Sequence, residues 1–166
     1  MVGSYLSGEW YGEVGTQFHT TLQEAAEIRR ALDLDDRKKT AVIFSHIFWD
    51  GTFFYGTDLF GSYEEWFVET MKVACANPHL NWIVKIHPAN IVKNVRDGVG
   101  SEPSDLPAIR SLGETLPAHV RVVQPDSHMS TLSLYSVIDY CVTVRGTVGI
   151  EAACFGIPVL TAGTGR

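Results

Sequence analysis

Residues 140–163 leave this chain few folds to choose from. Tyr140-Cys141-Val142-Thr143-Val144 is a short β-branched run, and Arg145-Gly146-Thr147-Val148-Gly149 breaks it with two glycines. Ile150-Glu151-Ala152-Ala153-Cys154-Phe155 reads as a compact helix closed by Gly156, and Pro158-Val159-Leu160-Thr161-Ala162-Gly163 reads as the next strand. Strand, glycine turn, helix and strand make a βαβ unit, whose strands pair in parallel through a right-handed crossover.

The turn carries its own chemistry. Gly146 and Gly149 allow the main chain to approach a ligand, and the first amides of the following helix point outward with the positive end of its dipole. That combination receives anions, most naturally phosphate, with Thr147 leading the helix. Glu151, about one turn further on, would be repelled by a phosphate and so would reach for sugar hydroxyls, a ribose being the obvious candidate. A plainer alternative stands beside this one: the glycines allow tight helix-to-sheet packing, and Glu151 is an exposed first-turn acid favoured by the dipole.

The rest of the chain supplies partners for such a unit. Thr40-Ala41-Val42-Ile43-Phe44-Ser45, Asn81-Trp82-Ile83-Val84-Lys85-Ile86 and Val120-Arg121-Val122-Val123-Gln124 read as further strands, mostly uninterrupted and apolar as a parallel sheet requires. A helix is expected from a Thr21/Glu24 capping box through Leu22, Ala25, Ala26 and Leu32, and another from a Ser62/Glu65 box through Tyr63, Trp66, Phe67, Thr70, Met71 and Ala74 until Pro78. Two more are expected, over 106–116 and from Ser127 through Leu132, Leu134, Tyr135 and Ile138. The pattern predicts an α/β fold with an open, doubly wound, Rossmann-like and mostly parallel sheet. The expected organisation is an N-terminal arm and helix over 1–37, the arm rich in glycine and aromatics, followed by one domain over 38–166. The expected sheet edge at the strands' carboxyl ends collects residues 45–58, His87, residues 126–130, residues 145–151 and residues 163–166.

Composition narrows the function classes. A net charge of −6 disfavours nucleic acid as a partner, because a phosphate backbone calls for a basic face. Cys75, Cys141 and Cys154 are dispersed, with neither disulfide nor zinc spacing, which points to the cytoplasm. No apolar run reaches membrane-spanning length.

Three stretches resemble the nucleotide-binding half of GT-B glycosyltransferases, most closely bacterial capsule and surface polysaccharide biosynthesis proteins. They are Val84-Lys85-Ile86-His87-Pro88, the run from Pro125-Asp126-Ser127 to Ser133, and the run from Thr143 through Arg145-Gly146-Thr147-Val148-Gly149-Ile150-Glu151 to Arg166. The last is the most specific, and His-Pro alone is weak. The resemblance implies a domain that binds a nucleotide sugar, CMP- or UDP-linked, as substrate, with no cofactor. The His-Pro pair tilts the expectation towards CMP-linked acidic sugars. By the same resemblance His87 contacts the donor phosphate and assists its departure, Glu151 binds ribose, and the turn of Gly146 to Gly149 holds phosphate. Asp50-Gly51 has the form of a catalytic-base pair found in related sialyl and Kdo transferases, although in several of those the pair lies in the other domain. A GT-B enzyme binds its glycan or lipid-linked acceptor between two such domains, so the resemblance implies a piece of a longer transferase, nearly inactive by itself. In that setting it would work at the inner face of the membrane, beside the capsule machinery. The alternatives are a nucleotide-sugar epimerase on the same scaffold and a non-catalytic binding or scaffold domain of a capsule assembly system.

Several side chains carry two readings each. His87 is a ligand contact or a turn histidine satisfied by backbone. Arg145 pairs with phosphate or with a surface acid. Ser127, Ser130 and Thr131 cap a helix, with a base or phosphate contact as a second role. Asp58 and Asp126 lack the clustered carboxylates of a metal site, so no metal is expected. His46, His119 and His128 have no assigned role, and Ser45-His46 lacks the glycine elbow of a hydrolase nucleophile.

Overall fold

The computed structural model describes residues 22–48, 59–87, 105–113 and 115–164. The predicted arm, Thr21, the loop over 49–58 with Asp50 and Asp58, and the segment over 88–104 lie outside the described residues, as does Arg166.

The apolar runs become five strands: β1 (Thr40–Phe44), β2 (Asn81–Lys85), β3 (Val120–Val123), β4 (Tyr140–Thr143) and β5 (Val159–Thr161). They form one sheet in the order β3-β2-β1-β4-β5, parallel at every pairing. β1 and β2 are buried along their whole length, which is why their sequences run apolar without alternation. The helices are α1 (Ala25–Ala31), α2 (Tyr63–Ala76), α3 (Asp105–Arg110), α4 (Thr131–Leu134) and α5 (Thr147–Cys154).

Each sheet face has its own core. Ala41, Ile43, Trp82 and Val84 meet Trp66, Phe67 and Met71 of α2 and Ile109 of α3. Val42, Phe44, Ile83 and Val123 meet Ile28 of α1, Leu134 of α4 and Ala152 of α5. Helices therefore cover both faces, as a doubly wound fold requires.

The cap on α2 forms as expected: Ser62 Oγ accepts from Glu65 N at 3.0 Å, and Glu65 Oε2 reaches back to Gly61 N at 2.7 Å. Ser62→Ala is expected to cost about 1 kcal/mol, read as a lower urea midpoint with an unchanged slope.

Three helices differ from expectation. α1 starts after Glu24 with no side-chain cap, and it buries Ile28 and Leu32 while Leu22 and Ala26 are exposed. The helix expected over 106–116 ends at Arg110, and the one expected to reach Ile138 ends at Leu134. In both, a serine just past the end bonds back three residues, Ser111 Oγ to Ala108 O and Ser136 Oγ to Ser133 O, each at 2.7 Å. Such bonds offer the backbone a turn in place of a further helical step.

The sheet's amino edge is tied by structural contacts. Asn81 exchanges hydrogen bonds with Asp35 N and O, and Arg121 donates to Leu32 O and pairs with Asp33. Polar groups there hold the fold, which directs attention to the opposite edge.

Candidate functional site

The strand order creates the site's position. From β1 the chain winds outward through β2 to β3, then returns to place β4 against the other side of β1. Connections leaving β1 and β4 in opposite directions open a crevice at their carboxyl ends, where α/β sheets bind ligands.

Four strand exits are laced together there. Ser45 N donates to Lys85 O at 3.1 Å, and Ser45 Oγ accepts from His87 N at 3.1 Å, joining the ends of β1 and β2. His46 Nε2 accepts from Arg145 N at 3.3 Å, joining β1 to the turn after β4. An accepting Nε2 leaves the proton of the neutral ring on Nδ1. The His46 ring packs on Tyr63 of α2 with centroids 4.7 Å apart, which fixes its plane. Ala162 N, bonded to Thr143 O, adds the exit of β5.

The two glycines divide the roles that the sequence left open. A Cβ on Gly146 would stand 3.1 Å from Val148 Cγ1 and 3.6 Å from His46 Nε2, so a side chain here would crowd the turn and the imidazole together. Its φ of −61° is accessible to any residue; close approach, not backbone freedom, is what glycine supplies. As N-cap of α5 it offers no side chain to the first-turn amides, which start at Thr147. A Cβ on Gly149 would meet Thr143 Cγ2 at 3.3 Å and Val159 Cγ1 at 3.4 Å, so this glycine seats α5 against β4 and β5.

Glu151 is half-buried on the same helix, and its Oε2 accepts from Tyr135 OH at 3.2 Å. Tyr135 lies between Phe155 at 5.1 Å and Phe44 at 6.4 Å, so an aromatic stack positions the hydroxyl that orients this carboxylate. Burial first, and then the charge of Glu151, push the Cys141 thiol up to about 12, which makes it an inert core group.

Arg145 is buried, with 6% of its surface exposed, so the surface ion pair considered from sequence is not its setting. Ser127 and Ser130 lie on the β3–α4 loop, where Ser127 Oγ accepts from Met129 N and Ser130 Oγ accepts from Ser133 N. Ser130 thus makes the helix cap expected of it, whereas Ser127 closes a local turn ahead of the helix and caps nothing. Lys85, the last residue of β2, is buried; desolvation pushes its pKa down to about 8, against an opposing pull from Asp126.

The structure thus brings His87, Arg145, Gly146 and Thr147 to one edge, with Glu151 on α5 beside it, while Asp50 lies outside the described residues. It adds His46 and Tyr135, which sequence reasoning passed over. His46 had a signal: like His87, it follows directly on a buried strand. Tyr135 had none, since its place in an apolar helix pattern reads as core.

No family model matches the chain, and no curated protein matches it. Among solved structures, it resembles the UDP-GlcNAc 2-epimerase of Neisseria meningitidis, determined with UDP-GlcNAc bound, at a TM-score of 0.53 and 16% identity. That match covers 82% of this chain and 30% of the epimerase. It also resembles KpsC of Thermosulfurimonas dismutans, a β Kdo 2,4 transferase, at a TM-score of 0.45 and 17% identity, covering 78% of this chain and 35% of KpsC. The chain therefore spans about a third of the length of either protein. Identity this low speaks to architecture alone, and the architecture is the Rossmann-like one that the resemblance to the nucleotide-binding half of GT-B proteins implied.

Proposed function

We propose that this chain is the nucleotide-sugar-binding domain of a glycosyltransferase in capsular or surface polysaccharide synthesis, using a CMP- or UDP-linked donor. The observation that carries this reading is the lacing of the β1, β2 and β4 exits at the strand-order reversal, with His46, His87 and a glycine-capped helix start around one crevice. In glycosyl transfer the bond from the anomeric carbon to the nucleotide phosphate breaks, and an acceptor hydroxyl bonds to that carbon and gives its proton to a base. Negative charge gathers on the departing phosphate. In this reading the amides from Thr147 onward and His87 stabilise that charge, Arg145 adds a cation near the turn, and Glu151 accepts from ribose hydroxyls. Ser127 and Ser130 border the base or phosphate, and Asp50 takes the acceptor's proton. The reaction so drawn needs no metal or cofactor. Its glycan or lipid-linked acceptor would be held by a second domain, in a cytoplasmic protein beside the membrane's capsule machinery.

The likeness to the epimerase favours one second reading, interconversion of a free nucleotide sugar on the same crevice. Product formation that requires an acceptor would exclude it.

Calorimetry with CMP, UDP and GDP tests the shared core of both readings. One nucleotide is expected to bind, and Glu151→Ala to weaken it about tenfold or more, the loss of a hydrogen bond to a charged group worth about 1.5 kcal/mol. His87→Ala is expected to weaken the nucleotide but not the corresponding nucleoside, which lacks phosphate. Unchanged affinity in Glu151→Ala would remove the ribose assignment, and no binding by any of the three would end the reading.

A further inference from the structure

Lys85 is a cation that the fold does not neutralise by contact. Register places it between Phe44 of β1 and Val123 of β3, so the three side chains form a row on the sheet face that also carries Ile83 and is covered by the cluster of Met129 and Tyr135. Its exposure is 8%, and its ammonium makes no hydrogen bond or ion pair among the described residues. The charged group that reaches it is Asp126 on the β3–α4 loop, acting through distance. Asp126 is exposed, so the ammonium lies towards the rim of the sheet. An apolar residue would complete the row without desolvating a charge. The lysine stands instead two residues before His87, and its own carbonyl accepts from Ser45 N.

We propose that Lys85 is a ligand-binding residue of the crevice, its ammonium taking an oxyanion of the donor into direct contact. Two sources share that chemistry, a phosphate of the nucleotide and a carboxylate on the sugar. The inference rests on the nucleotide-sugar reading and adds to it a second anion contact, at the end of β2 on the sheet face that α5 also covers. Burial holds the free lysine's pKa at about 8, and an arriving oxyanion favours the charged form, so binding raises that pKa and, from about pH 8 upward, draws a proton onto Lys85. A lysine that merely filled the row would show no such linkage.

Proton titration of the chain with isotopically labelled lysine side chains reads this directly, the Lys85 signal being the one missing from Lys85→Met. In chloride the midpoint is expected near 8. At matched ionic strength it is expected to rise by about one pH unit or more with CMP and inorganic phosphate if phosphate is the source, or with glucuronate if a sugar carboxylate is. Lys85→Met is expected to bind that probe about tenfold more weakly, and Lys85→Arg to recover part of the loss. A midpoint unmoved by all three anions while calorimetry records nucleotide binding overturns the Lys85 assignment and leaves the nucleotide reading standing. Unmoved midpoints with no nucleotide binding overturn both, and a midpoint near the ordinary lysine value in chloride overturns the assignment by itself.

Discussion

At pH 7, Lys85→Met is expected to make the fold more stable, by up to about 3 kcal/mol. Burial lowers the lysine from its usual 10.5 to about 8, and each tenfold loss of proton affinity corresponds to about 1.4 kcal/mol. The sign follows from proton counting. Between pH 8 and 10.5 the unfolded chain holds a proton at this position that the folded chain has released, so wild-type stability rises with pH across that window. Below it, the whole cost of burying the charge is present. Methionine carries no charge and has similar length, so the variant's advantage should be full at pH 7 and shrink as the pH climbs towards 10.5. Other lysines and tyrosines titrate alike in both proteins and drop out of the difference. Urea unfolding of the pair at pH 7, 9 and 10 measures it. A variant less stable than wild type at pH 7 would mean that the ammonium has a partner worth more than its desolvation.

Phe67→Ala should act in the opposite direction and harder, at about 3–5 kcal/mol, or a melting point lower by on the order of 10 °C. Phe67 is fully buried, and it sits where the α2 face meets two other aromatics, Trp66 at 6.5 Å and Phe48 at 5.5 Å. Phe48 lies three residues past Ser45, in the segment that carries His46 to its bond with Arg145. Removing the ring opens a cavity beneath that segment as well as inside the core. Binding in the crevice should therefore weaken even at temperatures where the variant stays folded. A loss below about 1 kcal/mol would show that the core closes over the gap, which a well-packed interior does only in part.

The strands were legible because burial on both faces strips a parallel strand of polar alternation; 40–45 and 81–86 announce themselves in this way. So was α2, whose serine cap and long apolar stripe agree with each other. The short helices were not. Residues 106–116 look amphipathic, yet the hydroxyl of Ser111 turns the chain after one and a half turns, and no periodicity reports that competition. Strand order was also out of reach, since nothing in the apolar runs says that β4 should choose the free side of β1. With the order unknown, His46 had no partner to suggest a role, and Arg145, beside a glycine turn, kept two readings, a phosphate partner and a surface ion pair. The Gly146 turn and the helix that follows it could be read because backbone geometry is local; the support beneath them, from Tyr63, Tyr135 and Phe155, comes from other parts of the chain.

The central strand draws its two neighbours from very different distances along the chain. β2 follows it closely, but Thr40 N bonds to the carboxylate of Asp139, 99 residues away. During synthesis at about 5–20 residues per second, β1 therefore waits several seconds with one side bare after its first partner is in place. Closure of so long a loop is the entropic toll of a parallel sheet whose strand order reverses at its middle, and the same reversal is what opens the crevice.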